Sequence, residues 1–130
     1  MLSQFEDYTQ ELSKEEKKIL PIVVNGLKKC IGKEKAYTNK AITQAIKMRY
    51  HIKVSDARLR KIIQYIRTKD LVPLLIASSK GYYVSNDKEE IREYINSLNQ
   101  RLNSIKSTAI SMKRQYVNRF EGEGQSNMFQ

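Results

Sequence analysis

The feature that most constrains this chain is the stretch over residues 55–69, SDARLRKIIQYIRTK. Leu59, Ile62, Ile63 and Ile66 recur there at spacings of three and four, which predicts an amphipathic helix with one apolar stripe turned to a core. Ser55 supplies a hydroxyl able to accept a backbone N–H, so it is the expected N-cap. Successive side chains turn by about 100°, so the face opposite the stripe carries Ala57, Lys61 and Gln64, with Arg58 and Arg60 on its flanks. That face is small, cationic and amide-bearing. Arg and Lys donate to the major-groove edge of guanine and Gln pairs with adenine, so a helix of this make-up suits a DNA major groove.

The segments around it fall into place by the same rules. Residues 38–48, TNKAITQAIKM, predict a short helix capped by Thr38, with Ala41, Ile42, Ala45 and Ile46 inward and Lys40 and Lys47 outside. Residues 49–54 connect the two helices and hold the only histidine, His51. Pro73 disfavours helix at Val72 and suits entry into an edge strand. Residues 74–77 and 82–85 are apolar or aromatic runs split by SSKG, where Gly81 can take a positive φ and Lys80 lies near a hairpin tip. Upstream, Ser13 and Glu16 have the spacing of a capping box. The helix they start is expected to reach about Ile31 and stop at Gly32, with Pro21 kinking it or opening a new one. Ala36 and Tyr37 are candidates for a short strand beside the hairpin.

Helix, helix and hairpin in this order resembles a winged helix-turn-helix domain over about residues 13–87. The stretches that carry the resemblance are TNKAITQAI, SDARLRKIIQYIR and SSKGYYVSND. The expected fold class is therefore mainly α with a small β-hairpin wing, followed by a long C-terminal helix. The resemblance implies that the second helix enters the major groove while the wing meets the flanking backbone. On that reading Arg58, Arg60, Lys61 and Gln64 approach base edges, with Ser55 and Ala57 on the same helix, and Thr38, Lys40 and Lys80 meet phosphates.

Charge agrees with a polyanionic partner. The net charge is +10, and residues 17–70 carry 15 Lys or Arg against three acids, whereas the first sixteen residues carry one Lys and five acids. A basic domain behind an acidic lead points to nucleic acid ahead of an anionic membrane surface. The bland alternative is a soluble basic protein with a solvated outer face. One cysteine, Cys30, excludes an intrachain disulfide and an all-Cys zinc site, and it is expected to be a buried, inert thiol. With one histidine besides, no metal or cofactor is expected, and no constellation for catalysis stands out. No apolar run approaches the roughly 20 residues of a membrane span and no signal peptide is visible, so no membrane partner and a cytoplasmic location are expected.

From Asn86 the pattern changes. Ile91, Ile95, Leu98, Leu102, Ile105, Ala109, Met112 and Tyr116 alternate spacings of four and three, and no Gly or Pro interrupts until Gly122. One continuous helix of about 30 residues, roughly 45 Å long, is expected. Either it packs partly on the domain and frays, or it makes a homodimer through Ile91, Ile95, Leu98, Leu102, Ile105 and Met112. With Ile95 at an a position, the e and g sites hold Arg92, Tyr94, Asn99, Arg101, Lys106, Thr108, Lys113 and Gln115, with no acid to pair across a parallel seam.

The expected organisation is an acidic arm at 1–12, a winged domain at 13–86, the heptad helix at 87–120 and a flexible tail at 121–130. The tail ends in QSNMF, which resembles the short peptide by which bacterial and phage proteins dock on the DNA polymerase sliding clamp. Gln125, Met128 and Phe129 carry the match; Ser126 departs from it, since Leu is common there. The whole layout looks like small DNA-binding proteins of phages and other mobile elements. That implies duplex DNA binding, sequence-reading or general, in bacterial replication or transcriptional control. The alternative is a protein-interaction adaptor of a replisome or clamp that uses the same fold without reading DNA.

Overall fold

Three hydroxyl side chains start the first three helices in the computed structural model, which describes residues 11–121. Ser13 Oγ accepts from Glu16 N at 3.2 Å and begins α1 (Lys14–Leu27). Thr38 Oγ1 accepts from Ala41 N at 3.1 Å and begins α2 (Asn39–Tyr50). Ser55 Oγ accepts from Arg58 N at 3.2 Å and begins α3 (Asp56–Thr68). Each bond satisfies one of the orphan N–H groups of a first helical turn. A 3₁₀ turn (Lys33–Lys35) lies between α1 and α2. Strands β1 (Leu75–Ser78) and β2 (Gly81–Val84) then form an antiparallel hairpin in the register Leu75–Val84, Ile76–Tyr83, Ala77–Tyr82, Ser78–Gly81. Last comes α4 (Lys88–Tyr116), closing in a π-helical turn over Val117–Glu121.

The described residues are thus mainly helical, with a two-stranded sheet and a long C-terminal helix. The hairpin starts one residue later than the apolar run implied and turns on Ser79 and Lys80 alone. The expected strand at Ala36 and Tyr37 reduces to a bridge. Tyr37 N donates to Tyr82 O at 3.1 Å and Tyr82 N donates to Tyr37 O at 2.8 Å.

One boundary differs more. Helix α1 ends at Leu27 rather than near Ile31, and it runs on through Pro21. The cause is the sheet. Val84 N donates to Cys30 O at 2.7 Å and Gly32 N donates to Val84 O at 2.9 Å, so residues 30–32 spend their backbone on the edge of β2 instead of on another helical turn. Helix α2 runs past the expected Met48 and stops on His51, which takes a left-handed conformation at φ 56°.

The core lies where the sequence stripes converge. Leu59, Ile62, Ile63 and Ile66 of α3 are buried with Ile19, Val23 and Leu27 of α1, Ile46 of α2, and Leu75. At about 25 cal/mol per Å² of apolar surface removed from water, this shared burial is the main force holding the three helices to the hairpin. Cys30 is buried, its thiol donates to Gly26 O at 3.3 Å, and burial pushes its pKa up. It is the opposite of an activated cysteine.

The chain divides into two compact units, one running to Ile91 and the other starting at Arg92. The first turn of α4 therefore belongs with the helices and hairpin, a few residues past the expected boundary at 86. Asp87 caps α4, its Oδ1 accepting from Glu89 N at 2.9 Å.

Candidate functional site

Helix α3 has two flanks, and the fold treats them differently. On one, α1 brings Glu16 against it. The Glu16 carboxylate closes the capping box by accepting from Ser13 N at 2.8 Å, yet its side chain is only 4% exposed. A carboxylate taken from water needs cationic partners, and α3 supplies two. Lys61 Nζ donates to Glu16 Oε1 at 2.8 Å, and Arg58 Nε lies 3.5 Å from Oε2, with Arg58 Nη1 3.2 Å from Glu15 Oε2. Burial alone would raise the Glu16 pKa. The Lys61 hydrogen bond, with those from Ser13, outweighs it and holds the carboxyl below its ordinary value.

This corrects an expectation. Lys61, placed by the helical wheel at the centre of the outward face, is partly covered and tied to Glu16, with its side chain 28% exposed. Arg58 is 38% exposed and faces the same pair of glutamates. Both long side chains reach the buried carboxylate from α3.

On the other flank the chain is open. Ala57, Arg60 and Gln64 are exposed, and Arg60 and Gln64 lie one helical turn apart. Next to them the N-termini of α2 and α3 are fastened together. Asn39 Nδ2 donates to Asp56 O at 3.3 Å and to Asp56 Oδ1 at 3.2 Å, while Asn39 Oδ1 accepts from the Tyr82 hydroxyl at 3.2 Å. One amide thus joins α2, α3 and β2. Burial pushes the Tyr82 pKa up; the charges of Arg60 and Arg67 pull it down and Asp56 adds to the rise. The phenol stays protonated, a donor to Asn39, between the hairpin and the open flank of α3.

Thr38 and Ser55 are exposed caps. Each hydroxyl accepts a backbone N–H and keeps its own O–H to donate, at a helix end carrying partial positive charge. Lys40 and the hairpin-tip Lys80 are exposed as well. Thr38, Lys40, Ser55, Ala57, Arg60, Gln64 and Lys80 are therefore all solvent-facing, and Arg58 and Lys61 are drawn away from them.

Of the heptad residues, Ile95, Leu102, Ile105 and Met112 are exposed, while Ile91 and Leu98 are half-buried. Gln125, Met128 and Phe129 of the clamp-like peptide lie outside the described residues. Among the described residues no group of three His, Cys, Asp or Glu is placed to hold a metal ion, and no helix is long and apolar enough to cross a membrane.

Sequence reasoning missed Asn39, Tyr82 and the second role of Glu16. The capping-box spacing marked Glu16 as a local cap, and nothing within one turn announces a partner 45 residues away. Comparison with protein-family models, curated proteins and solved structures finds no match for this chain.

Proposed function

We propose that this protein is a winged helix-turn-helix module that binds duplex DNA through the open flank of α3. Its role on that reading is replication or transcriptional control in a phage or other mobile element of bacteria, as the sequence resemblance implies. One observation carries the proposal. Arg60 and Gln64 stand exposed one turn apart on a helix whose N-terminus is fastened by Asn39 to that of α2. Arg60 donates to guanine and Gln64 pairs with adenine in the major groove. Thr38, Lys40 and Ser55, with the helix N-termini behind them, meet phosphates on one side, and Lys80 of the wing meets them on the other. Arg58 and Lys61 are left out of the base-reading set, because Glu16 holds them.

A salt titration of a labelled duplex tests this. Affinity should fall as a power law, with log K dropping about 0.9 for each phosphate neutralised per tenfold rise in salt. Four phosphate contacts would cost roughly a hundredfold between about 50 and 200 mM salt. Duplex binding undetectable at the lower salt would overturn the proposal.

A second reading, the protein-interaction adaptor, draws support from a mostly apolar groove between α1 and α2. It is lined by Ile22, Tyr37, Ile42, Ala45, Met48 and Tyr50, of which Tyr37, Met48 and Tyr50 are strongly exposed. Loss of DNA binding with retention of a protein partner would favour it.

A further inference from the structure

Helix α4 presents an apolar stripe to solvent along most of its length, with Ile91 and Leu98 half-buried. Among its a and d residues Leu102 is 60% and Ile105 65% exposed, with Ile95, Met112 and Tyr116 each more than half exposed. In water such a stripe is a strong drive to associate. We propose that its occupant is the same helix of a second copy, running antiparallel, with the two-fold axis passing between Leu102 and Ile105.

Two features of the sequence choose the second copy and its direction. The first is the size of the side chains along the seam. Turned end for end about that axis, Leu102 meets Ile105 of the partner copy, Leu98 meets Ala109, Ile95 meets Met112, and Ile91 meets Tyr116. Every a position then faces a d position, and the one small residue lies opposite a large one. Parallel pairing in register would instead stack Ala109 on its own copy and leave a hollow layer in the seam, a costly defect in a short coiled coil.

The second feature is charge. Residues 87–93 hold four acids and two bases, whereas residues 101–119 hold five cations and no acid. Antiparallel pairing lays the acidic start of each helix along the basic end of the other, and it opposes the two helix dipoles. Parallel pairing sets the two cationic ends side by side. At the seam itself neither direction gains, since Arg92 meets Lys113 of the partner on both edges of an antiparallel pair and Arg101 meets Lys106 on both edges of a parallel one. No acid lies at any e or g position from 92 to 115 to relieve either contact, so the acidic start and basic end of the helix decide the direction. The inference does not depend on DNA binding.

The test uses the full chain. Sedimentation equilibrium of the wild type should give a dimer, and Leu102→Asp should weaken dimerisation at least about a hundredfold, since a charge would enter two central layers. Direction is read by disulfide trapping with oxidised glutathione in a Cys30→Ser background. Ile95→Cys and Met112→Cys chains should cross-link when mixed, and neither should when alone. A wild-type monomer at hundreds of micromolar would overturn the pairing. Cross-linking within each single-cysteine chain alone would overturn its direction. Circular dichroism of Leu102→Asp separates loss of pairing from loss of fold, because residues 14–84 form helices and sheet without α4 in their core.

Discussion

The two flanks of α3 carry similar side chains and do different work. Arg58 and Lys61 lie on the side covered by α1, where the buried Glu16 carboxylate captures them. Arg60 and Gln64, on the side near β2, meet no buried acid among the described residues and stay exposed. A cation on a helical wheel is therefore not yet a ligand-binding cation. The acid that packs beside it decides whether its charge faces inward or outward. On the covered flank Coulomb attraction and hydrogen bonding offset the cost of taking the Glu16 carboxylate out of water. On the open flank the same type of group remains available to a phosphate or a base.

The largest effect is expected at the hairpin, which borders the open flank. Gly81 sits at φ 117°, and a β-carbon there would collide with the backbone carbonyl of Tyr37. Both strain and collision act, since an L side chain disfavours that φ and the clash is with backbone rather than a movable side chain. Gly81→Ala should lower unfolding stability by about 3 kcal/mol, read by urea denaturation, and should displace Tyr82 from Asn39. A change under about 0.5 kcal/mol would mean that the Tyr37–Tyr82 bridge does not anchor the hairpin.

On the covered flank, Glu16→Gln keeps the size of the side chain and removes its charge. It leaves Lys61 partly buried without its anion and Arg58 with Glu15 alone, so a loss of about 2 kcal/mol is expected. The pH profile gives an independent check. Glu16 has a folded-state pKa below the ordinary 4.5, so its contribution is complete above that value and disappears as pH falls through and below it. The wild type should lose more stability than Glu16→Gln over that acid range. Parallel profiles would show that Lys61 and Glu16 are not coupled.

Much of this was readable in the chain because capping and amphipathicity are local. Ser13, Thr38 and Ser55 mark their helix starts within a residue, and the stripe of Leu59, Ile62, Ile63 and Ile66 is buried as its spacing implies. What local pattern does not carry is long-range polar pairing. The early end of α1 depends on Val84, more than fifty residues further on, and the capture of Lys61 depends on Glu16. The same holds within the candidate site. Exposure of Arg60 and Gln64 follows from the wheel, whereas the role of Asn39 appears only once α2, α3 and β2 meet.

The most direct test of the two-flank account compares Arg60→Ala with Lys61→Met, scoring duplex DNA affinity at about 50 mM salt and thermal stability for each. Arg60→Ala should weaken DNA binding about tenfold, as expected for loss of one base-reading pair, with its melting temperature unchanged. Lys61→Met should lower the melting temperature by several degrees, about 1–2 kcal/mol, while the folded protein keeps most of its DNA affinity. The reverse pattern, with Lys61 governing DNA binding and Arg60 governing stability, would contradict the account.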